Sequence, residues 1–146
     1  MTRILLVEDD PSVGAAVVMT LAREGCDMVH VADGGTGMRA FESSPFDLAI
    51  VDIFLPGISG LKTIAELRRG GPAVPILAIS GFIFRDTVDP ALDYFALAIK
   101  AGAAGCLRKP FTSRQLIAAV HASLAPSPPA TASEPEKVGQ GLYDDG

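Results

Sequence analysis

The sequence contains no tryptophan, two cysteines and two histidines in 146 residues. Cys26 and Cys106 are too few for a disulfide framework or a structural zinc site. Both lie among apolar neighbours, which predicts small buried thiols in a reducing compartment. His30 falls on an expected strand and His121 on the last expected helix. Neither has a partner in the sequence, and both read as half-exposed structural residues. No apolar run approaches the ~20 residues of a membrane span. The N-terminal MTRILLVEDD has too short an apolar stretch for a signal peptide, so the expectation is a cytoplasmic protein. Basic runs are absent too, and the net charge is −5. Such a surface argues against non-specific binding to nucleic acid or to anionic membrane.

What is present is a well-supplied core: 49% of residues are apolar and 20% charged, a globular composition. The length fits one domain. Along the chain, short apolar runs alternate with amphipathic stretches. Strands are expected at Arg3–Glu8, Asp27–Ala32, Asp47–Ile53, Pro75–Ser80 and Gly105–Arg108. Asp10-Pro11 reads as a helix N-cap followed by proline at the first helical position, opening a helix that stops near Gly25. Further helices are expected at Gly35–Ser43, Gly60–Arg69 and Asp93–Lys100. Thr112-Ser113-Arg114-Gln115 is a capping box that opens the last one. Apolar strands joined by helices argue a parallel α/β sheet, doubly wound and covered on both faces. The folded domain is expected over residues 1–125. The Pro/Ala/Ser/Gly-rich stretch 126–146 has no period and reads as a flexible tail.

In such folds, function collects at the C-terminal ends of the strands. Those ends carry Glu8-Asp9-Asp10, Asp52, Ser80-Gly81 and Lys109-Pro110. Asp52 closes the apolar run LAIVD, where an ionised group needs an answering charge. Several carboxylates side by side repel and call for a counter-charge or raised pKa values. A hard cation such as Mg²⁺ suits an all-oxygen cluster. An ionised Asp52 could then act as a nucleophile in aspartyl-phosphate chemistry. Lys109, the Ser80 hydroxyl and the metal would each meet one oxygen of the transferred group.

The ordered set VEDD, VDIFLPGISG, AIS and GAAGCLRKPF resembles the response-regulator receiver domain of two-component signalling, from about Arg3 to Leu124. The resemblance implies a five-stranded parallel sheet of order 2-1-3-4-5 in a flavodoxin-like fold. It implies a phosphoacceptor at Asp52 and Mg²⁺ at Asp9, Asp52 and the Phe54 backbone carbonyl, with Glu8 close by through water. Ser80 would be the mobile hydroxyl, Lys109 would pair with the phosphoryl group, and the Lys109-Pro110 bond would be cis. The implied donor is a histidine kinase or histidine phosphotransfer protein. With no output domain in the sequence, the reading is a stand-alone receiver acting on a downstream protein target, with a homodimer left open. It would be a phosphoacceptor with slow autodephosphorylation, not an enzyme acting on a separate substrate.

Three features depart from that family. Cys106 stands where receivers usually carry an aromatic ring on strand five that swings inward on activation. The Ser80–Lys109 spacing is longer than usual, around GFIFRDTVDPALDYF, which predicts an atypical, mobile region over Gly81–Tyr94 and an altered helix-four face for partners. Phe54 and Phe82 follow Asp52 and Ser80 by two residues, and two apolar rings there predict a long-lived phospho-form. The alternatives are a phosphohydrolase, disfavoured because Phe54 stands where a second carboxylate is needed; a flavin module, disfavoured by the acidic EDDPSVG turn; and a phosphorylation-independent interaction domain.

Overall fold

Five parallel strands form one sheet, and the computed structural model describes residues 1–81 and 93–125. The strands are β1 (Arg3–Val7), β2 (Asp27–Val31), β3 (Leu48–Asp52), β4 (Ile76–Ser80) and β5 (Gly105–Arg108). The helices are α1 (Pro11–Arg23), α2 (Gly34–Ser43), α3 (Gly60–Gly70), α4 (Tyr94–Ala101) and α5 (Ser113–Leu124). The strand order is β2-β1-β3-β4-β5, as the resemblance implies. Apart from Arg3, Asp52 and Ser80 at their ends, the central strands β1, β3 and β4 are apolar because helices cover both of their faces.

Alternation along each strand sorts the core into two layers. Leu5, Val7, Ala49, Val51, Ile76 and Ala78 pack with Ile64 and Leu67 of α3 and Ala98 of α4. Ile4, Leu6, Leu48, Ile50, Leu77 and Ile79 pack with Val17 and Leu21 of α1 and Leu116 and Val120 of α5.

The helix starts follow from local chemistry. Asp10 caps α1, its Oδ1 accepting from Ser12 N at 2.8 Å and Val13 N at 3.3 Å, with Pro11 at the first position. Thr112 and Gln115 form the reciprocal capping box of α5. Asp93 caps α4 through a bond from Ala96 N at 3.1 Å.

One expectation is adjusted. Cys26 and Cys106 are half-buried, not enclosed, because each lies near an edge of its layer. The expectation of mobility for Gly81–Tyr94, and the tail at 126–146, fall largely or wholly outside the described residues. Tyr94 itself is helical.

Candidate functional site

The parallel register sets the C-terminal ends of β1, β3, β4 and β5 side by side, with Val7 opposite Val51, Asp52 opposite Ile79 and Ser80 opposite Arg108. Glu8, Asp52, Ser80 and Lys109 therefore arrive at one edge of the sheet. Asp52 is 4% exposed and Glu8 1%. One carboxylate oxygen from each of Glu8, Asp9 and Asp52 lies within 4.8 Å of the others. Asp9 is exposed, so the cluster opens to solvent on its side.

Lys109 is the answering charge. Its Nζ lies 2.6 Å from Glu8 Oε1 and donates to Asp52 Oδ2 at 3.1 Å. Asp52 Oδ1 accepts the backbone N–H of Phe54 at 2.9 Å. Glu8 Oε2 accepts from Asp10 N at 3.1 Å. One ammonium thus serves two buried carboxylates, which leaves a net negative charge in a dry place. Burial pushes the Glu8 carboxyl up to about 7, with Asp52 adding to the rise and Lys109 and the Asp10 amide opposing it. Burial also works against the Lys109 ammonium, but Glu8 and Asp52 together outweigh it and hold its pKa above the ordinary value.

The donor set fits a hard divalent cation. Glu8 Oε1 touches Lys109 Nζ but receives no aligned hydrogen bond, so a buried carboxylate oxygen is left under-satisfied. Three clustered carboxylates with one shared ammonium want further positive charge.

The sequence placed Glu8 beside the metal through water; here its carboxylate lies in the cluster with Asp9 and Asp52 and also contacts Lys109. Asp10 serves as the α1 cap. Ser80 is buried at the end of β4, but its hydroxyl donates to the adjoining Gly81 carbonyl at 3.4 Å. Among the described residues it makes no bond to Asp52 or Lys109. The Lys109-Pro110 peptide is cis. Phe82 lies outside the described residues.

Two neighbours of the site were not visible in the sequence. A ring nitrogen of His30, Nε2, lies 2.9 Å from the Glu8 carbonyl oxygen, and the ring occupies the space a Cβ on Gly14 would need. His30 is exposed, but it is not without partners. Tyr94 packs edge-on against Phe54, ring centroids 4.8 Å apart. Gly60, the first residue of α3, sits where a Cβ would fall 1.9 Å from the Asp52 carbonyl oxygen. Only glycine lets the helix start this close to the end of β3.

Comparison with known proteins agrees with this geometry. The model of the response regulator receiver domain matches residues 4–121. The transcriptional regulatory protein QseB of Haemophilus influenzae is 33% identical over 120 residues, covering 82% of this chain and 51% of QseB. The DNA-binding response regulator MtrA of Mycolicibacterium smegmatis is 34% identical over 122 residues, covering 84% of this chain and 50% of MtrA. The chain spans about half the length of these curated relatives. A CheY-like receiver domain protein from Methanospirillum hungatei superposes with a TM-score of 0.76 at 26% identity, covering 85% of this chain and 94% of that one. The receiver domain of NtrX from Brucella abortus gives 0.74 at 27% identity, covering 83% and 97%. No described helix is long and apolar enough to cross a membrane. With its residues 4–121 matched and its strand ends carrying the acidic cluster, the chain belongs to the response regulator receiver domain family.

Proposed function

We propose that Asp52 accepts a phosphoryl group from a histidine kinase or histidine phosphotransfer protein in a Mg²⁺-dependent reaction. The observation that carries this reading is the buried Asp52 carboxylate with Lys109 Nζ 3.1 Å from Oδ2 and two further carboxylates within 4.8 Å. Mg²⁺ would be held by Asp9, Asp52 and the Phe54 backbone carbonyl, with Glu8 beside them. When bound, the ion supplies positive charge to the phosphoryl oxygens.

The chain's own residues account for the remaining steps. A carboxylate oxygen of Asp52 attacks phosphorus, the phosphorus–nitrogen bond of the phosphohistidine breaks, and the departing imidazole nitrogen keeps the electron pair and takes up a proton. Lys109, already charged and aimed at Asp52, neutralises charge on the transferred group. The Ser80 hydroxyl leaves the Gly81 carbonyl to donate to a phosphoryl oxygen. The residue two after Asp52 is Phe54, with no acid or base to activate water, and this supports slow autodephosphorylation over hydrolase turnover. Output passes to a protein target by contact. The full chain's net charge of −5 and its lack of a basic run support a protein surface over nucleic acid as the partner.

The test is intact mass after incubation with Mg²⁺ and acetyl phosphate. A single phosphoryl adduct is expected on the wild type and none on Asp52→Asn. An absent adduct on the wild type, or an equal one on both, overturns the proposal.

A further inference from the structure

Cys106 replaces the strand-five aromatic through which receivers of this resemblance carry their signal. Its Sγ contacts the Phe95 carbonyl at 3.8 Å, and a thiol is too short to sweep the volume an aromatic ring sweeps. A different link is needed between Asp52 and the α4 side of the sheet. We infer that Tyr94 is a positioning residue that couples Asp52 to helix α4 through the ring of Phe54. This rests on Asp52 being the phosphoacceptor.

Two contacts make the link. The Phe54 N–H donates to Asp52 Oδ1 at 2.9 Å. Hydrogen bonds to an ionised carboxylate are roughly twice as strong as neutral ones. Phosphorylation converts that carboxylate into an acyl phosphate, so the amide loses its ionised acceptor and residue 54 feels the change first. The Phe54 ring in turn meets Tyr94 with centroids 4.8 Å apart and planes at 66°. This is the edge-on arrangement aromatic rings prefer. A pair of this kind biases an equilibrium roughly two- to tenfold.

Tyr94 is the first residue of α4, directly after its cap Asp93, so the contact acts on the helix's opening turn. The next residue, Phe95, lies under the Arg108 guanidinium at 5.1 Å, which ties the same turn to β5 beside Lys109. The far end of α4 is held separately. Arg68 of α3 donates from Nε and Nη2 to the Gly102 carbonyl at 3.1 and 2.6 Å. The helix is therefore anchored to α3 at its C-terminus, and its N-terminal turn rests on aromatic contacts that lead back to the site. A change at Asp52 can bias that turn without displacing the anchor.

The experiment reads backbone amide chemical shifts of residues 96–101 with and without Mg²⁺ and acetyl phosphate, with intact mass taken in parallel. Wild type, Tyr94→Leu, Tyr94→Phe and Cys106→Ala are compared, each checked by its thermal midpoint. The wild type is expected to show adduct and shifted α4 amides. Tyr94→Leu keeps the adduct and loses most of the shift, while Tyr94→Phe and Cys106→Ala keep both. A full α4 response in adduct-bearing Tyr94→Leu overturns the inference, as does loss of the response in Cys106→Ala. An absent adduct on the wild type would instead overturn the phosphoacceptor reading, so the two failures are distinct.

Discussion

Replacing Glu8 by glutamine should make the metal-free domain more stable at neutral pH and less responsive to Mg²⁺. Glu8 is 1% exposed and shares Lys109 with Asp52. Burial raises its carboxyl from an ordinary 4.5 to about 7. Between those values the folded protein holds a proton that the unfolded chain releases, so this group lowers stability as pH rises through the interval. At about 1.4 kcal/mol per pH unit, the full interval is worth about 3 kcal/mol. The amide keeps the shape and removes the charge, and the 2.6 Å contact with Lys109 is already counted in the value of about 7, which it lowers. A net stabilisation of about 3 kcal/mol is expected at pH 8 and close to none at pH 4.5. Urea denaturation in EDTA at both pH values measures it. Repeating the series with millimolar Mg²⁺ should stabilise the wild type more than Glu8→Gln, because a bound cation favours the ionised carboxylate. If Glu8→Gln is less stable than wild type at pH 8 without metal, or gains as much from Mg²⁺, Glu8 is not the strained member of the cluster.

Two further changes probe the loop beside Asp52. Gly60→Ala would set a methyl 1.9 Å from the Asp52 carbonyl oxygen and 2.5 Å from Ile53 Cα. It should cost about 3 kcal/mol or more, as overpacking against backbone does, which a fall in the thermal midpoint would show; an unchanged midpoint would mean that α3 moves freely at its start. Phe54→Asn replaces an apolar ring with a group able to orient water. It should shorten the lifetime of the phospho-form several-fold, read as loss of the mass adduct with time, and an unchanged lifetime would remove Phe54 from any control of hydrolysis.

The sequence was most legible where one local cause suffices. Apolar runs found the three central strands because a parallel sheet buries both of their faces, while the edge strands β2 and β5 are only half-buried. Asp10-Pro11 and Thr112–Gln115 found two helix starts because the cap chemistry lies within four residues. The strand-end groups were found because topology alone carries them to one edge. What stayed hidden depends on side-chain direction or on contacts between distant segments. Glu8 was read as a neighbour of the metal, and its contact with Lys109 is a rotamer choice made across the sheet. Ser80 was placed by its strand, yet its hydroxyl settles on the nearest carbonyl. Tyr94 and Phe54 meet across 40 positions with no pattern linking them, and His30 reaches the Glu8 carbonyl from the neighbouring edge strand. The Cys106 departure was plain in the sequence, but not what could stand in for it.

The sheet also works as a partition. Its two apolar layers draw on alternate residues of the same strands and share no buried side chain. A change of volume on the α1–α5 face reaches the α2–α4 face only through strand backbone, which is stiff and hydrogen-bonded on both sides. The two surfaces are thus free to diverge at separate rates, each repacking beneath itself. They are bound to one another at the acidic rim, where Asp10 opens α1 and Phe54 leans on Tyr94. A lineage could replace either face and keep the rim, and so acquire a new listener without changing what it hears.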